Sequence, residues 1–299
     1  MKVVERDISG FRSYSFEIGE LIFGVPIDIG PRILHLASTD RPDFNLFGVL
    51  NESGTRTEEG LWRIYGGHRL WGSPEAKPRS YSLDDKPVKV EIHDGAAEIR
   101  GNPEHENSIQ KSIIVESHPG GAASITHKIM NISRWPIRLG CWALSVMRLN
   151  GFALVPLKAS NVDDEGLLPD RHITLWPYTD MSDRRLTISK DHLIMRQDPA
   201  VKSPLKIGTM ANPDWVAYNM DGLTFVKRFR RWEGEYPDFG CSVEVYTNSE
   251  MLELETLGPL KTIAPHESIQ HTEIWSISET GDVERGSQLV ERIQSLHSR

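Results

Sequence analysis

Short runs of β-branched and aromatic residues recur from end to end of this 299-residue chain, each closed by Gly, Pro, Asn or Asp, and only one stretch repeats at a helical period. Such a pattern encodes many short antiparallel strands. In the first half the segments 14–18, 21–25, 88–93, 96–100, 109–115, 123–131 and 137–145 read as strands. In the second half 153–157, 185–189, 193–196, 215–219, 223–229, 242–247, 251–257 and 271–277 do so. No βαβ alternation separates them, which favours a large all-β sandwich over a doubly wound parallel sheet. The helical exception is 283–296, where Leu289, Val290, Ile293 and Leu296 recur at three- and four-residue spacing and predict one amphipathic helix capping a sheet. The segment 74–87 is Pro-rich but short and mixed, and no fixed-period repeat breaks the chain, so residues 1–299 read as a single domain.

Charge narrows the function classes. The chain carries 34 Lys and Arg against 42 Asp and Glu, a formal net charge of −8. An acidic balance argues against nucleic acid as a partner, because phosphate neutralisation needs a surplus of clustered cations. Its one basic cluster, Lys227, Arg228, Arg230 and Arg231, is followed at once by Glu233 and Glu235 and reads as a solvated strand end. No apolar run approaches the roughly 20 residues of a membrane helix, and the first residues lack the pattern of a secretion signal, so a cytoplasmic protein without a membrane partner is expected. Cys141 and Cys241 fit no zinc or redox spacing and are expected as two buried thiols.

Polar residues at period two mark the informative strands, because residues i and i+2 share a face of a sheet. Ser242, Glu244 and Tyr246 share one face and Val243 and Val245 the other; Glu253 and Glu255 lie opposite Leu252 and Leu254; His271, Glu273 and Trp275 form a third row. Each row taken singly reads as the solvent side of an antiparallel strand. Together, carboxylates beside aromatic rings are what a sugar site requires: oxygens accept from hydroxyls, and flat rings stack on apolar C–H faces. A second unusual segment runs from Arg63 to Glu75, where Gly66 and Gly67 precede His68, Arg69 and Trp71. Alternation sends His68 and Leu70 one way and Arg69 and Trp71 the other. His271, Glu273 and His266 lack the pairing of a metal motif, so no protein-held metal is expected. Walker, G-x-G-x-x-G and G-x-S-x-G signatures are also missing, which removes the usual support for phosphoryl transfer, dinucleotide chemistry and serine hydrolysis.

These residues, in order, resemble the galactose mutarotase-like (aldose 1-epimerase-like) superfamily and, within it, the DUF4380-type proteins. The resemblance spans most of the chain: Ile29-Gly30-Pro31-Arg32-Ile33, Gly66-Gly67-His68-Arg69-Leu70-Trp71, the Trp142 strand followed by Val155-Pro156-Leu157, Phe225 to Phe229, Glu244 to Asn248, Glu253 to Leu260 and His271 to Trp275. It implies a β-supersandwich of large antiparallel sheets with a sugar groove. It also implies a late glutamate that acts as general base on the anomeric hydroxyl, a histidine that acts as general acid at the ring oxygen, and no cofactor. Glu255 resembles the late glutamate. The family's histidines fall where this chain has Tyr65 and Trp142 or its neighbours, so His68, with Lys227 as the alternative, is expected as the acid, and Arg69, Trp71, Trp142, Lys227 and Glu244 as groove residues. The expected ligand is a small-molecule carbohydrate, neutral or carrying a carboxylate or phosphate. The expected activity is anomer interconversion, with non-catalytic carbohydrate sensing as the alternative and lyase or glycosidase chemistry third.

Overall fold

The computed structural model describes residues 2–160, 162–281 and 286–296. Two large antiparallel sheets face each other. Eight strands position the chemistry: β1 (His68–Ser73), β2 (Ala123–Asn131), β3 (Ile137–Met147), β4 (Leu205–Thr209), β5 (Leu223–Phe229), β6 (Val243–Thr247), β7 (Leu252–Leu257) and β8 (Ser268–Glu279). The first sheet has eight strands, in the order Thr174–Leu175, β4, β6, β7, β3, β1 and Arg32–Ile33, with Lys261–Ile263 added beside β3. The second has ten strands and places β5, β8 and β2 side by side at its centre. A four-stranded sheet made from the first 38 residues and a two-stranded hairpin, Val49–Thr57 with Gly60–Gly66, complete the β architecture.

Alternation sorts the side chains. Leu70 of β1, Val243 and Val245 of β6 and Leu252 and Leu254 of β7 pack in one core with Phe225 of β5, Ile125 of β2 and Trp275 of β8. Burying such side chains is worth about 1.5–3 kcal/mol each, which is what brings the two sheets face to face. On the outer side of the first sheet Trp71, Trp142, Leu144 and Leu257 join Trp62 and Ile64 of the hairpin in a separate apolar cluster. The turn into β1 depends on backbone freedom: Gly66 and Gly67 adopt φ of 82° and 65°, and a Cβ at either would run into the carbonyl of Gly48 or Ile33.

The expected terminal helix is present as α1 (Gly286–Leu296), and Leu289, Val290 and Ile293 pack on Leu154, Ile194, Trp215 and Val226 of the ten-stranded sheet's outer face. Residues 283–285 of the expected helix lie outside the described residues. Both cysteines are buried free thiols. Strand β4 is one that the sequence pattern did not mark, and its omission bears on the site. The basic cluster differs from its reading: Arg230 and Arg231 are exposed, but Lys227 is fully buried between the sheets.

Candidate functional site

Outward-facing residues of β1, β3, β4, β6 and β7 form the floor of a groove of about 420 Å³. Four tryptophans, Trp62, Trp71, Trp142 and Trp176, and three tyrosines, Tyr81, Tyr178 and Tyr246, line it. Their rings contact one another edge-on or tilted: Trp71 lies 5.4 Å from Trp142, 5.5 Å from Tyr81 and 5.9 Å from Trp62. Trp62 arrives on the hairpin, Tyr81 on the single turn Arg79–Tyr81, and Trp176 and Tyr178 on the connection that follows Thr174–Leu175. Flat apolar faces of this density suit the C–H face of a sugar ring.

Charged groups are set into this aromatic floor. Arg69 donates from Nη2 to Glu253 Oε1 at 2.8 Å and lies over the Trp71 ring at 4.7 Å. Its Nε and Nη1 have no hydrogen-bond partner among the described residues. The Lys206 ammonium sits 4.7 Å from the ring centres of both Trp142 and Trp176. It is 2.7 Å from Glu244 Oε2 and 3.1 Å from Glu255 Oε2, and the Trp142 indole N–H donates to the same Glu255 oxygen at 2.8 Å. Glu244 and Glu255 are cross-strand partners in the β6–β7 ladder and are both fully buried; apart from the Lys206 ion pair, neither oxygen of Glu244 has a hydrogen-bond partner among the described residues, and Glu255 Oε1 has none.

This electrostatic arrangement is uneven. Burial pushes Glu244 well above the ordinary glutamate range, against the pull of Lys206, and the Glu255 charge adds to the rise. Burial also raises Glu255, with Lys206 opposing and Glu253 adding. For Lys206, burial disfavours the ammonium, but Glu244 and Glu255 outweigh it, and the proton is held more tightly than on an ordinary lysine. Tyr178 is raised by burial, which keeps its phenol neutral.

Five of the seven expected site residues thus fall at or beneath the groove floor, and two do not reach it. Arg69, Trp71 and Trp142 line the groove, while Glu255 and Glu244 lie just under its floor, bridged by Lys206. His68, although on β1, points to the opposite face and is fully buried between the sheets. Its expected place in the groove is corrected by the same alternation that puts Arg69 there. Lys227 is likewise corrected: its ammonium donates to the Leu254 carbonyl at 3.1 Å and pairs with Glu273 at 3.2 Å in the sandwich interior. Sequence reading missed Lys206, Trp176 and Tyr178. The available signal for Lys206 was one charged residue flanked by Leu205 and Ile207, a strand with a single polar position on its outward face.

The interior cluster is complete in itself. His127 Nδ1 lies 2.9 Å from the His271 carbonyl, which only accepts, so Nδ1 carries the proton and Nε2 the lone pair. His68 Nε2 then donates across 2.6 Å to His127 Nε2, and His68 Nδ1 accepts from Ser145 Oγ at 2.8 Å. His271 Nε2 donates to Thr256 Oγ1 at 2.7 Å, and Thr256 passes a hydrogen bond to Glu273 Oε1 at 2.5 Å. Glu273 also receives the Trp275 indole N–H at 2.7 Å and Lys227. His68, His127 and Glu273 offer donor atoms within 4.8 Å of one another, close enough to share a metal ion. The donor set does not fit one: each lone pair is engaged within the network, and the Lys227 ammonium abuts the carboxylate. Burial drives His68, His127 and His271 down, His271 to about 3, so all three are neutral.

No protein-family model matches the sequence, and neither does any curated protein. Solved structures do match. A galactose mutarotase related enzyme from Lactobacillus acidophilus superposes with a TM-score of 0.56 at 10% identity, covering 90% of this chain and 98% of that one. The chain has the galactose mutarotase-like fold. A putative mutarotase from Salmonella typhimurium gives 0.57 at 8% identity, covering 93% and 94% of the two chains. A TPR-domain containing protein from Parabacteroides distasonis gives 0.61 at 10% identity over 91% of this chain, which spans only 48% of that protein. At these identities the likeness shows the fold alone. Among the described residues no helix is long and apolar enough to cross a membrane.

Proposed function

We propose that the aromatic groove binds a carbohydrate and that the protein interconverts the anomers of an aldose. The observation that carries this reading is the Glu255 carboxylate 3.1 Å from the Lys206 ammonium beneath a floor of tryptophan rings. Anomer interconversion requires one group to take the proton of the anomeric hydroxyl while another gives a proton to the ring oxygen. Glu255 is the base in this reading and Lys206 the donor, since no histidine lines the groove among the described residues. Trp176 and Tyr178, the more exposed rings of the wall, stack on the sugar above Trp71, and the open N–H groups of Arg69 donate to its hydroxyls.

A neutral aldose fits better than an acidic or phosphorylated one. Both cations that line the groove, Arg69 and Lys206, are already paired with carboxylates, and Glu75 adds a further negative group to the wall. An anionic ligand would have to displace those partners. The second reading, carbohydrate sensing without catalysis, is favoured by one observation: Glu255 is fully buried and capped by Trp142 and Lys206.

Saturation-transfer and exchange NMR on a panel of neutral, uronic and phosphorylated aldoses tests both. Accelerated α/β exchange that disappears in Glu255→Gln and in Lys206→Met is the expected result. Binding without acceleration would select the sensing reading, and silence from every sugar would overturn both.

A further inference from the structure

Three ionisable groups share one buried space under the groove: Glu244 from β6, Lys206 from β4 and Glu255 from β7. Two buried carboxylates and one ammonium leave a negative charge uncompensated, an arrangement that burial strongly disfavours. Facing Glu244 are Lys206, Glu255, Asp238 of the Pro237–Gly240 turn and the Cys241 thiol. Asp238 repels it, and the Cys241 thiol is engaged with the Asp238 carbonyl. The two carboxylates are not equivalent. Glu255 receives an indole N–H as well as the ammonium, whereas Glu244 has the ammonium alone and keeps an orphan oxygen. A Cβ at Gly208 would lie 2.5 Å from Cys241 Sγ and 3.2 Å from both Glu244 Cγ and the Trp176 ring, so the glycine lets Cys241, Glu244 and Trp176 pack closely around this space.

We infer that Glu244 carries a proton at neutral pH and is the reserve from which Lys206 is refilled, so that the array holds an acid, an ammonium and a carboxylate side by side. Its use in turnover rests on the anomer-interconverting reading above. On ring opening the anomeric hydroxyl loses its proton to Glu255 as C1=O1 forms. The C1–O5 bond breaks with its electron pair going to O5, which takes a proton from Lys206, and Glu244 returns a proton to Lys206. Substrate protons balance, and the protein has moved one proton from Glu244 to Glu255. Reclosure on the other face of C1 runs the same steps backwards and restores the starting state. Glu244 acts through Lys206 without touching the sugar and is a positioning and proton-holding residue.

Infrared difference spectroscopy on the full chain reads the proton directly and needs no sugar. The wild type at neutral pH is expected to show the carbonyl stretch of a protonated carboxylic acid, and Glu244→Gln is expected to remove it. The same variant separates proton supply from charge or packing, because glutamine keeps the neutral shape of a protonated glutamate yet cannot release a proton. Exchange on the best aldose should fall about a hundredfold in Glu244→Gln, within the usual range for general acid–base catalysis. If Glu244→Gln fails to fold, titration of carbon-13-labelled glutamate carboxyls in the wild type replaces it, and the proposal requires one buried carboxyl still protonated at neutral pH. Absence of the protonated band, or its loss in Glu255→Gln but not Glu244→Gln, would overturn the assignment. Full exchange activity in Glu244→Gln would overturn the relay. A wild type that accelerates no exchange would sink the epimerase reading, and the infrared band would then decide the protonation by itself.

Discussion

Two charged clusters occupy opposite faces of the same eight-stranded sheet, and they resolve their charges in opposite ways. Between the sheets, Glu273 accepts from Thr256, Trp275 and Lys227, and three neutral histidines close the network. There burial would raise the Glu273 carboxyl, but the Lys227 ammonium and the Thr256 hydroxyl hold it below the usual range. Under the groove, Glu244 and Glu255 outnumber Lys206, both are raised by burial, and Arg69, Glu244 and Glu255 keep unpartnered atoms. A self-satisfied network specifies how two sheets register; an unsatisfied one beside a cavity is where a ligand or a proton is to be added.

The largest effect that separates the two regions should come from the interior. Lys227→Met leaves Glu273 buried without its counter-ion and should cost about 3–5 kcal/mol of stability in urea unfolding. The double variant Lys227→Met with Glu273→Leu should recover most of that loss. If the single variant is neutral, the interior pair is not what holds the sheets in register.

Acid and alkali should then act on different clusters. His271 titrates at about 3 when folded and at about 6.5 when unfolded, so the unfolded chain binds the extra proton between those values. Stability is therefore lost as pH falls through that window, and His271→Gln should flatten the acid limb of a plot of urea midpoint against pH. The groove carboxylates have the opposite sign. Because folding raises Glu244, its contribution is complete below the ordinary glutamate range and is lost as pH rises through its folded value, and Glu244→Gln should flatten that limb instead. One limb changing in both variants would show that the clusters are not independent.

Effects confined to the groove are smaller. Tyr178→Ala removes an exposed ring from the groove wall and should weaken aldose binding about tenfold, near 1.4 kcal/mol, with little change in the urea midpoint. At the small end, Arg138→Ala breaks an exposed pair with Glu235 and should alter neither sugar binding nor stability measurably.

The division into faces was legible because it is local. Period-two alternation separates Arg69 and Trp71 from His68 and Leu70, and Glu253 and Glu255 from Leu252 and Leu254, without knowledge of any partner strand. What each face meets is a long-range fact. His271, Glu273 and Trp275 read as a solvent row because two of them are polar, yet they lie on the second sheet and the first sheet buries them, with Thr256 of β7 and His68 of β1 packed against them. His68 and Lys227 were assigned to the groove for their chemistry, and the facing of the two sheets put them inside. Lys206 escaped because its strand is short and carries no motif; only its register with Tyr246, beside Glu244 on β6, brings it under Trp176.

The contrast between the clusters is tested most directly by nitrogen-15 indole NMR during titration with a neutral aldose, since tryptophans report from both faces of the sheet. The account predicts that the indole signals of Trp62, Trp71, Trp142 and Trp176 shift while that of Trp275, held by Glu273 in the interior, stays fixed. Groove indoles that respond to no aldose, or a Trp275 signal that moves without them, would contradict it.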